Sequence, residues 1–147
     1  MITKNLKGIN DFIKKNKIEV IDLKCIDLTG RLHHISLPVY DNIISDLLKH
    51  GVGFDGSNYG FRKVENSDMI MIPDLETAVI DPFRETPTLS FYSNIFLTDD
   101  ARTPFSQDGR YIAKKTREAL KKYTGADTSW WGPEFEFYIF SKVKYDK

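Results

Sequence analysis

The 147-residue chain balances 21 basic against 21 acidic side chains, which removes any general electrostatic case for nucleic-acid binding. Hydrophobic residues make up 41% and charged residues 29%, a balance that builds a core and excludes a disordered chain. No run approaches the roughly 20 apolar residues that span a bilayer, and the N-terminus lacks an apolar signal-peptide core, so a cytoplasmic chain without a membrane partner is expected.

Ile2, Leu6, Ile9 and Ile13 recur at helical spacing among Lys4, Lys7, Lys14 and Lys15, which predicts an amphipathic first helix. Its stripe is narrow and lacks tryptophan, so it packs on its own domain or on another subunit rather than on a membrane. "VIDLKCIDLTGRLHHISLPV" reads as a hairpin, with Thr29-Gly30 supplying the turn chemistry. Cys25, the single cysteine, excludes an internal disulfide and a cysteine zinc site, and its apolar neighbours make it a buried structural thiol. His33 and His34 are adjacent in the second strand and point to opposite faces, so they cannot join one metal site.

"YDNIISDLLKHG" predicts a short helix with Asp41 as N-cap, a stripe of Ile43, Ile44, Leu47 and Leu48, and Gly51 at its end. A loop, "GVGFDGSNYGFRKVENSD", follows, and then three strand candidates, "MIMIP", "TAVIDPF" and "TLSFYSNIFL". The order implies an α+β unit in which a helix crosses a mixed sheet, a pattern compatible with a β-grasp. "DDARTP" (Asp99 to Pro104) marks a domain boundary. Beyond it, "QDGRYIAKKTREALKKYTG" predicts a helix with Ile112, Thr116, Ala119 and Leu120 on its inner face and Gly125 as C-cap. "WWGPEFEFYIF" reads as a strand. One helix and one strand make no core of their own, so this second unit reads as unfinished.

In that strand Glu134 and Glu136 share a face, with Cα atoms about 6.5–7 Å apart. Three readings fit: a solvated edge pairing with Lys121 and Lys122, an acid/base pair of glycosidase type, or ligands for two divalent cations, since hard oxygen donors suit Mg²⁺ or Mn²⁺. The glycine-rich loop contains neither a phosphate-loop pattern nor G-x-G-x-x-G. It is either a mobile, protruding loop that presents Asp55 or a turn in which Asp55 and Ser57 bond nearby backbone amides.

Together, "DLTGRLHHISLP", "GFDGS" followed by "ENSDM", the "PD…DPF" pair, "PFSQDGR" and "GPEFEF" resemble glutamine synthetase of the bacterial type, in order and spacing, from about Ile18 to Phe140. The resemblance implies a β-grasp (ubiquitin-like) N-terminal domain with its leading helix over residues 1–103. It implies the first helix and strand of a catalytic domain over 104–147. It also implies the N-terminal part of an ATP-dependent ligase that joins ammonia to glutamate through γ-glutamyl phosphate, and the 147-residue chain alone is expected to be inactive. Glu134 would hold the cation beside the nucleotide phosphates and Glu136 the one that orients glutamate. Asp55 would reach into a neighbouring subunit's site, within a ring that the family implies to be a dodecamer, to bind and deprotonate ammonium. The chain departs from the family with Asn58 in place of serine, Phe61 in place of tryptophan in a loop one residue shorter, and Gly109 in place of proline. The alternatives are a relative ligating glutamate to another amine, or a non-catalytic β-grasp binding or assembly module.

Overall fold

The computed structural model describes residues 2–145. Helix α1 spans Leu6–Lys15 and starts where Asn5 Oδ1 accepts the Gly8 amide at 2.8 Å. That bond satisfies one of the free N–H groups of the first turn, and Lys14 and Lys15 complement the dipole at the other end. Strands β1 (Val20–Ile26) and β2 (Leu32–Pro38) form the expected hairpin. Its turn uses Gly30 at φ 87°, a left-handed conformation that glycine adopts without strain. Helix α2 (Ile43–His50) ends at Gly51 as predicted, but its start differs. Asn42 rather than Asp41 occupies the N-cap, in a left-handed conformation, and its side chain makes no capping bond.

The loop expected after α2 hides a strand, β3 (Val52–Asp55), which pairs antiparallel with β4 (Asp68–Pro73). A four-residue strand interrupted by Gly53 carries too little periodicity to stand out in sequence; its partner defines it. Of the "TAVIDPF" candidate only Val79–Ile80 forms a strand, β5. Strand β6 runs Thr88–Leu97, as predicted. The six-stranded sheet has the order β2-β1-β6-β4-β3, with β5 also on β6. Among the described strands only the β1–β6 pairing is parallel.

Alternation sorts the sheet into two faces. Ile21, Leu23 and Cys25 lie opposite Leu37, Ile35 and His33, and the same face continues through Leu89, Phe91 and Ile95 to Met71 and Met69. Ile9 and Ile13 of α1 and Ile43, Ile44 and Leu47 of α2 close this face into a single core. The opposite face is polar. There Asp22, almost wholly buried, accepts from Ser36 and faces His34 Nδ1 at 3.3 Å and Arg84 at 3.5 Å. Lys24 pairs with Asp81 at 2.8 Å, so two ion pairs tie the segment after β5 across the sheet.

Helix α3 (Gly109–Thr124) follows, with Asp108 as N-cap and Gly125 at φ 73° as C-cap. Asp108 is buried and also accepts the Ile95 amide at 3.3 Å, so the cap fastens α3 to β6. The predicted inner face is covered only in part: Ala119 and Leu120 are half-buried, Ile112 is 49% exposed, and α3 fully buries no residue among those described. From 126 to 145 no strand forms. Trp130, Trp131, Phe135 and Phe137 are all exposed, against the expectation that "WWGPEFEFYIF" is a strand with one face in a core. Strand geometry needs a partner for its backbone groups, and none of the described strands supplies one to this run.

Phe91 lies wholly buried at the centre of the core. Phe91→Ala should cost about 3–5 kcal/mol, the usual loss for a buried aromatic, read as a fall in the urea midpoint with the slope of the transition unchanged.

Candidate functional site

Asp55 closes β3, where it pairs with Asp68 of β4. The chain then turns through a short 3₁₀ segment, Gly56–Tyr59, that Asp55 itself caps. Its Oδ1 accepts the Ser57 amide at 2.8 Å, and its Oδ2 faces the Asn58 side-chain amide at 3.4 Å. Gly56 suits this position: a Cβ would meet Met69 Sδ at 2.4 Å and force that buried side chain to shift. Gly56 N–H also donates to Ser67 O at 2.7 Å, which ties the turn to the start of β4. The predicted bonding between Asp55 and nearby amides is present, and the carboxylate is nonetheless exposed to solvent. The structure therefore has the bonded turn, with its carboxylate left accessible. Hydrogen bonds from the side chains of Ser57 and Ser67, and from the Ser57 amide, hold the Asp55 carboxyl below its usual range and keep it anionic.

An aromatic cluster secures the far side of the turn. Tyr59 meets Phe54 edge-on at 5.1 Å and stacks with Phe61 at 6.0 Å, and Phe61 contacts Phe105 at 5.4 Å. Phe61, read as a replacement for tryptophan, thus links the turn to the chain just before α3. Thr103 O and Phe105 N–H bond to Leu97 N–H and Ile95 O, which fixes Phe105 in place.

Glu134 and Glu136 lie in the 126–145 segment and are exposed. Neither forms an ion pair among the described residues; Lys121, one of their expected partners, instead pairs with Asp127 at 2.8 Å. No group of three or more His, Cys, Asp or Glu residues among those described is arranged to hold a metal ion. The structure therefore does not gather Asp55, Glu134 and Glu136 into one cluster.

The histidines separate as their spacing requires. His33 Nε2 lies 2.8 Å from Asp27 Oδ2, and His34 faces Asp22 on the opposite side of the sheet. Cys25 is buried, and burial, reinforced by the charges of Asp108 and Asp27, raises its thiol to about 12, so it stays protonated and unreactive. Sequence reading passed over two groups, the Asp27–His33 pair and the buried Asp22. The first has a legible signal, because an aspartate two residues before Thr29 is the pattern of an Asx turn. Asp22 has none, since nothing in "VIDLK" marks one acid as buried.

No helix among the described residues is long and apolar enough to cross a membrane. Residues 17–98 match the family model described as glutamine synthetase, beta-Grasp domain. The chain is 40% identical to glutamine synthetase of Azotobacter vinelandii over 134 residues, covering 90% of this chain and 28% of that protein. It is 39% identical to glutamine synthetase of Mycobacterium tuberculosis, over 99% of this chain and 30% of that one. Among solved structures, Plasmodium falciparum glutamine synthetase superposes with a TM-score of 0.70 at 22% identity, covering 83% of this chain and 23% of that one, a likeness of fold. The chain thus spans about three-tenths of the length of the curated relatives it matches. With a mixed α+β sheet gripping its helices and a match over more than half its length, the chain belongs to the glutamine synthetase family, whose β-grasp domain it contains.

Proposed function

We propose that the chain is the N-terminal part of an ATP-dependent ligase joining ammonia to the γ-carboxylate of glutamate through γ-glutamyl phosphate. Residues 1–103 would be its β-grasp unit with the leading helix, and 104–147 the opening of its catalytic domain. The observation that carries this reading is an exposed, anionic Asp55 on a hydrogen-bonded turn, in a chain whose likeness to glutamine synthetases extends over 99% of its length.

In this reading Asp55 projects across a subunit boundary in a ring of identical chains. A carboxylate held below its ordinary range is a firm partner for ammonium and a weak base. Its first contribution is to concentrate and orient the cation; it accepts the proton as the nitrogen attacks. Glu134 and Glu136 supply exposed hard oxygen donors free of ion pairs among the described residues, a chemistry that suits Mg²⁺ or Mn²⁺. Glu134 would hold the cation at the nucleotide phosphates and Glu136 the one at glutamate, and other parts of the enzyme would complete both coordination shells. When bound, the cations offset the repulsion between the glutamate carboxylate and the γ-phosphate.

In a full-length enzyme carrying this sequence, Asp55→Asn should keep assembly and nucleotide binding while lowering ammonia-dependent turnover by about 10²–10⁴, the worth of one positioned general base. Mixed rings test the shared site. Asp55→Asn subunits combined with Glu136→Ala subunits leave some interfaces with both intact halves, so partial activity should return on mixing. Verified mixed rings as inactive as either parent would sink the cross-subunit role.

The Asp55 carboxyl should titrate below the ordinary aspartate value of about 3.9. Because its folded pKa is depressed, its capping of the turn stabilises fully above that ordinary value and is lost as pH falls through the lower folded one. Carboxyl-carbon NMR across the acid range reads this directly, and a midpoint at or above the ordinary value would contradict it.

A further inference from the structure

We propose that His33, held by Asp27, positions the Asp55 turn by seating Tyr59; the functional use of this brace rests on the Asp55 reading above. Asp27 is saturated with donors. Its Oδ1 accepts the Thr29 amide at 2.8 Å, the Thr29 hydroxyl at 2.7 Å and the Arg31 amide at 2.9 Å. Its Oδ2 faces His33 Nε2 at 2.8 Å. An ionised carboxylate only accepts, so Nε2 carries the proton and donates, which fixes both the tautomer and the ring plane. His33, first among the causes, helps hold the Asp27 carboxyl far below its usual range, so the acceptor stays ionised.

The imidazole is therefore a fixed surface at the end of the core face, opposite Cys25 in the hairpin register. The Tyr59 ring rests against it, with centroids 4.5 Å apart and planes at 62°, an edge-to-face contact. Tyr59 is the last residue of the turn that begins after Asp55. Phe61 N–H donates to Gly56 O at 2.9 Å and Gly60 N–H to Ser57 O at 3.1 Å, so a displaced Tyr59 pulls on the residue whose amide holds the Asp55 carboxylate. Gly56 and Gly60 flank the turn, and Gly60 sits at φ 70° with open space on its side-chain side. Glycines leave the unbraced turn a large conformational freedom, so an immobile ring beside Tyr59 decides how well Asp55 is aimed.

Amide hydrogen exchange of the 147-residue chain, followed by NMR, tests the brace. His33→Leu should speed exchange at Gly60 and Phe61 by roughly two- to tenfold, the worth of one aromatic pair, and leave the β1 amides unchanged; Tyr59→Leu, which also loses Phe54 and Phe61, should speed it at least as much. The double variant should be little faster than Tyr59→Leu alone, because that substitution already removes the His33 contact. Should His33→Leu fail to fold, His33→Gln keeps a donor for Asp27, removes the ring and serves the same comparison. In the full-length enzyme His33→Leu should raise KM for ammonium several-fold and leave KM for ATP in place. Unchanged exchange at Gly60 and Phe61, additive effects of the two substitutions, or an equal rise in both KM values overturns the proposal. Full ammonia-dependent turnover in Asp55→Asn would instead overturn the role of Asp55 and leave the exchange result standing.

Discussion

Strand β6 must satisfy its backbone on both edges along its whole length, and most of the remaining architecture follows from how it does so. Its ten residues meet β1 on one edge, over Thr88–Tyr92, and the 103–105 segment further along the same edge. On the other edge β5 and β4 lie end to end, with the Asp74 amide donating to Tyr92 O at 2.8 Å between them. Successive residues of a strand bond to alternate sides, so a ten-residue strand can serve four partners without leaving a group unpaired. The hairpin, the β3–β4 pair and the approach to α3 therefore all refer their positions to one element. The Asp55 turn inherits its place from this arrangement, because β3 pairs with β4 and β4 with β6.

The two faces of the sheet are held by different physics. One is an apolar core that buries two helices, and it contributes in proportion to area. The other is a polar lattice around Asp22, whose carboxylate is out of water and must be matched by Ser36, His34 and Arg84. Removing one partner leaves this face with a buried charge short of donors. Its strength is directional. It locks the 81–86 segment onto the sheet where apolar contact alone would let it slide.

Local pattern revealed elements wherever a residue's partners are close in sequence. The hairpin, α2, α3 and β6 follow from periodicity and from Gly30, Gly51 and Gly125, which mark turns by their own backbone geometry. β3 stayed hidden because Gly53 breaks its alternation and β4, which defines it, starts thirteen residues after β3 ends. The cap of α2 fell on Asn42 rather than Asp41 because the backbone entered the helix from a left-handed residue, a conformation asparagine tolerates better than most. Asp55 stood out through its glycines, whereas of the groups that lower its carboxyl, Ser57 first and then Ser67, the second is brought near only by strand pairing. For Glu134 and Glu136 the alternation in "PEFEF" suggested a strand face, but alternation specifies which side a residue takes only once a neighbour exists to pair with. No described strand pairs with them.

The same alternation along β6 bears on how chains of this kind can diverge in length. An extra residue inserted between Tyr92 and Ser93 would turn every later backbone group to the opposite edge, and would exchange Ile95 for a neighbour on the polar side. The β1 pairing and the β4 pairing could then not both persist. The 3₁₀ turn at Leu75–Thr77 between β4 and β5 is held to the same spine, since the Tyr92 amide donates to Thr77 Oγ1 at 2.8 Å and Asp74 pairs with Arg110. Variation in length is thus kept out of the spine and out of the turn bonded to it.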